Sequence, residues 1–231
     1  MNANRARVLA LALTLYLSRM TVAIAADTLS SHDADYDYDP PVAGSYALPV
    51  IKMAPDGAII DSDSKLLKLR QLTYGRITVL SFIYTRCAAP KACPYAVGVL
   101  SQLHALSAED KELATNMRLI SLSFDPDYDT PRRLAEYSEA MRDDKSGCEW
   151  QFATAKSNAA LESILNGYGQ AVDKRSNPND PQGPLYHILR VFLIDRAGRI
   201  RNIYSSATLD PRLVLADVKT LLLEEKKLSK Q

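Results

Sequence analysis

"FIYTRCAAPKACPYAVGVL", Phe82 to Leu100, is the stretch whose reading decides the fold. It continues "ITVLSFIY", an unbroken apolar run from Ile77 to Tyr84 with strong β propensity. Such a run marks a central strand buried on both faces of a sheet. The run ends at Cys87. After five residues, "AAPKA", come Cys93 and Pro94, then Val97, Leu100, Leu103 and Leu106 at a helical spacing. Proline belongs in the first turn of a helix, so Cys93 falls at or beside the N-cap. Unpaired N–H groups there favour an anion and lower a thiol pKa, and Arg86 and Lys91 add positive charge. The pair is open to three readings: an inert disulfide, an exchanging thiol couple, or two ligands of a soft metal such as Cu(I). A staple at this junction would secure what the core already fixes, which favours the two chemical readings.

Elements follow on both sides. "PVIKM-APDG-AIIDS" (49–62) reads as a hairpin turning at Pro55-Asp56-Gly57. "MRLISLSF" from Met117 is another strand. Asp129-Thr130-Pro131 caps and opens a helix that runs through "RRLAEYSEAM". "NAALESILNGYG" from Asn158 is a helix stopped by glycine, and "ILRVFLID-RAG-RIRNIYS" from Ile188 is a second hairpin. "DPRLVLADVKTLLLEEKK" is a final amphipathic helix. The order β-α-β-α-α-β-β-α predicts an α/β fold, a mixed central sheet flanked by helices with an N-terminal hairpin extension. A closing hairpin, with a thiol pair at a strand-to-helix junction, is the thioredoxin-like arrangement.

The N-terminus reads as an export signal. Arg5 and Arg7 precede "VLALALTLYLS", and Ala23 and Ala25 fit a small-residue cleavage pattern, which assigns residues 1–25 to a signal peptide. The apolar run is too short to span a bilayer alone; an uncleaved membrane anchor facing the periplasm is the rival reading. No cysteine stands at the cleavage point, which argues against a lipid anchor there. Cleavage removes Arg5, Arg7 and Arg19 and no acid, so the net charge passes from +1 to −2. Neither value supports nucleic-acid binding. Export to the periplasm permits cysteine oxidation. Residues 26–45 read as an acidic linker; His32 with Asp33, Asp35 and Asp37 is a solvated tail before it is a metal site.

The chain resembles the SCO/SenC family of thioredoxin-fold copper proteins, which assemble the CuA centre of respiratory cytochrome oxidases. The resemblance runs from Tyr46 to Leu223, within a domain placed at 46–227. It rests on "FIYTRC…CP", on "LISLSFDPDYDTPRRLAEY", on "WQFATA", and on Asp173-Lys174 followed by a polar loop and "YHILRVFLID". It implies that Cys87, Cys93 and His187, eight residues before Asp195, bind one copper ion. The five-residue inter-cysteine loop is wider than the family's usual three. A loop cysteine and an N-cap cysteine can still converge, because loops of this length close cheaply. The segment "DKRSNPNDPQGP" ahead of His187 reads as mobile, closing over the cysteines on binding.

Two function classes follow. One is a metallochaperone, in which reduced Cys87 and Cys93 with neutral His187 hold copper for an oxidase subunit or another copper client. The other is a periplasmic thiol–disulfide oxidoreductase, in which the same pair cycles against a thiol reductant or the thiols of a CuA-type site. An oxidised pair has no thiolates to donate, so the two states exclude each other. A peroxidase is disfavoured: Thr85 stands two residues before Cys87 rather than three. Asp125 is read as orienting or approaching the site, Asp129 as serving capping or turn chemistry, His104 as a helix-flank residue, and Cys148 as a thiol outside the site, either buried and inert or pairing between molecules.

Overall fold

The structure, a computed structural model, describes residues 38–229. The expected signal segment and His32, Asp33, Asp35 and Asp37 lie outside them. Ten strands and six helices occur among the described residues: β1 (Lys52–Met53), β2 (Ala58–Asp61), β3 (Leu66–Lys68), α1 (Arg70–Thr73), β4 (Ile77–Ile83), α2 (Cys93–Ala108), α3 (Lys111–Asn116), β5 (Met117–Ser123), α4 (Pro131–Asp143), β6 (Glu149–Ala155), α5 (Asn158–Tyr168), β7 (Val172–Lys174), β8 (Leu185–His187), β9 (Arg190–Ile194), β10 (Arg199–Ser205) and α6 (Pro211–Leu228). Eight strands form one sheet in the order β1-β10-β9-β4-β5-β6-β2-β3, and β7 pairs with β8 in a separate ribbon.

The central run behaves as its composition requires. All seven residues of β4 are buried, and β4 lies parallel to β5 and antiparallel to β9. Parallel neighbours need a crossover, and α2 with α3 supplies the one between β4 and β5. Helix starts follow local chemistry: Thr130 accepts from Arg133 N–H ahead of Pro131, Ser157 accepts from Ala160 N–H, and Asp210 accepts from Arg212 N–H. Gly169 ends α5 with φ +66°, a conformation that costs other residues steric strain. The β9–β10 hairpin forms as expected, turning at Asp195–Gly198.

Two local expectations are corrected. First, β1 and β2 do not pair with each other: β1 pairs with β10 at one edge, and β2 with β6 and β3 towards the other. The Pro55–Gly57 link instead crosses α5. A Cβ built on Gly167 would stand 2.5 Å from Pro55, and one on Gly57 would stand 2.3 Å from Ile164. The N-terminal hairpin is the one between β2 and β3. Second, the core face of α2 runs through Cys93, Ala96, Val99, Leu100, Leu103, His104 and Ser107, while Leu106 is exposed. Four residues at steps of three drift half-way round a helix, so Leu106 cannot share the face of Leu100. His104 is therefore buried rather than on a flank, with Nδ1 3.7 Å from the Asp144 carboxylate. Near the expected domain start, Gly44 N–H donates to Thr220 Oγ1 at 2.9 Å and the Tyr46 hydroxyl donates to Asp217.

Candidate metal centre

The end of β4 delivers Cys87. Beyond Ile83, whose carbonyl accepts from Phe124 N–H, Tyr84 is buried and Cys87 N–H closes a turn onto the Tyr84 carbonyl at 3.1 Å. Thr85 is anchored to Asp129: its N–H donates to Oδ2 at 2.9 Å and its hydroxyl donates to Oδ1. Asp129 is fully buried and accepts a third bond from the Ser123 hydroxyl at 2.6 Å. It is thus an anchor of the cysteine loop and not the helix cap, which is Thr130. The five-residue loop folds on itself through Ala92 N–H to the Ala89 carbonyl. Cys93 is the first residue of α2, preceded by an N-cap, Ala92, that offers no side-chain acceptor.

The β7–β8 ribbon delivers the histidine. His187 pairs with Val172 and packs its ring against Phe124, centroids 4.7 Å apart. Its Nε2 lies 3.4 Å from Cys93 Sγ. The donor atoms of Cys87, Cys93 and His187 all lie within 4.8 Å of one another. Ligands about 2.0–2.3 Å from a shared ion stand roughly 3.3–4.0 Å apart in tetrahedral or trigonal geometry, so the set fits one ion with shifts of up to about 1 Å. Two thiols and an imidazole are the donors a soft or borderline metal takes. Backbone bonds join the ribbon to itself and to the cysteine loop. Arg175 N–H donates to the Pro184 carbonyl, Gly183 N–H to the Asp180 carbonyl, and Ala88 N–H of the cysteine loop to the Gln182 carbonyl.

The two thiols are chemically distinct. Cys87 is half-buried on a cleft of about 550 Å³ with His187, Pro90, Lys91, Tyr186 and Ile188 on its walls, whereas Cys93 is buried. Donation from the Cys93 thiol, opposed by burial and aided by His187 and the N–H groups of Cys93 and Ala89, brings the Cys87 pKa down to about 4. The same contact with Cys87, together with burial, pushes the Cys93 thiol well up. The lowered Cys87 and the raised Cys93 make Cys87 the thiol that ionises first. Limiting iodoacetamide at pH 7 on reduced protein is expected to label Cys87 first and to spare Cys93 and Cys148 until denaturation. Peptide mapping checks this, and Cys148 labelled ahead of Cys87 would contradict it.

The remaining candidates sit apart from the donor atoms. Asp125 pairs with Arg86 at 2.6 Å, and Asp127 accepts from Asn158. Cys148 is buried, burial pushes its thiol up to about 11, and its N–H donates to Ser107 Oγ. Sequence reasoning missed Tyr84 and Gly183. The only available signal was a glycine within a Pro- and Asn-rich loop.

The thioredoxin-like sheet thus carries two thiols, at a strand end and at the next helix start, with an imidazole from a side ribbon beside them. The SCO1/SenC family profile matches residues 58–223. The chain belongs to the SCO1/SenC family. It is 26% identical over 162 residues to the SCO1 protein homolog of Bacillus subtilis (strain 168), covering 69% of this chain and 78% of that one. Copper-bound ScoI of Bradyrhizobium japonicum superposes with a TM-score of 0.59 at 22% identity, over 73% of this chain and 99% of that one. A SCO1/SenC family lipoprotein of Bacillus anthracis superposes with a TM-score of 0.62 at 23% identity, over 77% and 99%. These structural likenesses establish the fold. Among the described residues no helix is long and apolar enough to cross a membrane.

Proposed function

We propose that the protein is an exported copper-binding protein that holds one copper ion on Cys87, Cys93 and His187. It passes the ion to a CuA-type site of a respiratory oxidase, or keeps the thiols of such a site reduced. The observation that carries this reading is the convergence of two sulfurs and one imidazole nitrogen within 4.8 Å from three separate segments. Copper on the ScoI relative supports the choice of metal. The chemistry suits capture and release. Cys87 offers a thiolate from the cleft, and Cys93 gives up its proton as the ion arrives, which links uptake to proton release. His187 directs Nε2 at Cys93 and completes the set as a neutral base.

Thiol–disulfide exchange is the second reading, favoured by one feature: a half-exposed, low-pKa Cys87 backed by a buried Cys93 is also an attacking and resolving pair. His187 separates the two. His187→Ala is expected to weaken Cu(I) binding by about 1–3 kcal/mol, roughly ten- to a hundredfold, while leaving the Cys87–Cys93 couple able to cycle. Competition titration against a chromophoric Cu(I) chelator measures the first effect, and thiol mapping after oxidation measures the second. Equal copper affinity in wild type and His187→Ala, with undiminished disulfide exchange, would transfer the assignment to the oxidoreductase.

A further inference from the structure

The cysteine strand and the histidine ribbon are fastened together by one side chain that belongs to neither the donor set nor the thiol couple. Tyr84 follows β4, three residues before Cys87, and is buried. Its hydroxyl donates to the Leu185 carbonyl at 2.9 Å, with the Gln182 carbonyl at 3.3 Å. Leu185 stands two residues before His187 in β8. The contact is shaped for this hydroxyl. Gly183 has φ +103°, and a Cβ built there would lie 2.3 Å from the Tyr84 oxygen and 2.7 Å from the Arg86 carbonyl oxygen. The phenol ring makes a second link. It packs on Phe124 with centroids 5.1 Å apart, and Phe124 packs on His187 at 4.7 Å. His187 itself lacks the usual brace, since its buried Nδ1 has no hydrogen-bond partner among the described residues. A metal-binding histidine is ordinarily oriented through that second nitrogen. Here orientation has to come from backbone and ring contacts.

We propose that Tyr84 is the positioning residue of His187: through the Leu185 carbonyl and the Phe124 ring it holds the imidazole over the cysteines before the metal arrives. The inference deepens the copper reading and rests on it for its purpose. A prepositioned third donor loses less freedom on binding, so part of the affinity at the site originates in a hydroxyl outside the donor set. This also accounts for the close glycine, because only a residue without Cβ lets the ribbon backbone approach the phenol.

Tyr84→Phe keeps the ring and removes the latch. In metal-free protein, amide hydrogen exchange over 182–188 is expected to quicken several-fold while β5 is unchanged. Cu(I) affinity is expected to fall about three- to tenfold, the share of one neutral hydrogen bond. In a His187→Ala background the same substitution should cost clearly less copper affinity, since only the hydroxyl's contact with the Cys87 thiol remains to be lost. A residue acting only on general stability would weaken both backgrounds alike. Gly183→Ala, which drives a methyl into the hydroxyl, should reproduce the exchange change and likewise lose most of its effect on affinity without His187. Unchanged exchange over 182–188 in Tyr84→Phe overturns the inference, as does an equal affinity loss in both backgrounds. If wild-type protein binds no copper yet the exchange responds, the latch stands and the copper function falls.

Discussion

Cys93→Ser is expected to weaken Cu(I) binding by about 3–5 kcal/mol, roughly a hundred- to several-thousandfold, and added thiol is not expected to restore it. The magnitude follows from dividing a metal-binding free energy of about 10–16 kcal/mol among three or four donors. A serine hydroxyl does not ionise near neutral pH and is a hard oxygen, so it replaces neither the charge nor the softness of a thiolate. Burial decides the rest. Cys93 is only 2% exposed and sits at the first position of α2, where an external thiol cannot reach. Cys87 faces the cleft, so Cys87→Ser should show a comparable loss in buffer but partial recovery with millimolar small thiol. Titration of both variants with and without thiol reads this difference directly. Equal rescue of the two would show that the buried and open roles are wrongly assigned. Wild-type affinity in Cys93→Ser would remove that cysteine from the donor set.

The asymmetry between the thiols shows what a sequence can and cannot convey. The strand before Cys87 and the helix after Cys93 were legible because composition and the position of Pro94 are local signals. The mixed sheet with its closing hairpin was legible for the same reason. His187 was legible only through resemblance, since a lone histidine carries no spacing that distinguishes a donor from a core residue. Long-range choices were hidden. Nothing within "APDG" says that the strands around it pair with β10 and β6 rather than with each other, with Pro55 set against Gly167 in α5 between them. The wide cysteine loop was legible as a departure, but its bond from Ala88 N–H to the Gln182 carbonyl is a tertiary fact. The histidine loop looked mobile by composition, yet Asn177, Asp180 and Gln182 tie it locally and Tyr84 ties it from the strand. Polar loop residues signal exposure equally well when they are fastening a loop.

Asp129 was misread for a related reason, and it leads to the largest expected effect on stability. Asp-Thr-Pro before a helix looks like capping chemistry whichever of the first two residues caps. In the folded chain Thr130 caps, and Asp129 turns inward beneath the site. It accepts from the Thr85 N–H, the Thr85 hydroxyl and the Ser123 hydroxyl. Asp129→Ala leaves all three donors without an acceptor. Each buried donor so stranded costs about 1–3 kcal/mol, and the two hydroxyls recover part of that by rotating, so the net loss should be roughly 3–5 kcal/mol. That is a large share of the roughly 5–15 kcal/mol that holds a domain folded. Asp129→Asn should behave differently. Thr85 N–H and Ser123 Oγ both use Oδ2, so one amide oxygen can serve them. The amide NH₂ then faces Thr85 Oγ1, which can accept as well as donate. The Asn variant should therefore lie within about 1 kcal/mol of wild type. Urea unfolding at constant m-value separates the two. A loss in Asn as large as in Ala would mean that the loop needs the charge itself. A small loss in Ala would mean that the bonds to Thr85 and Ser123 do not fix the loop. If the contrast holds, the network that fixes the loop two residues before Cys87 works through hydrogen-bond geometry, and the thiolate has no need of a charged neighbour beneath it.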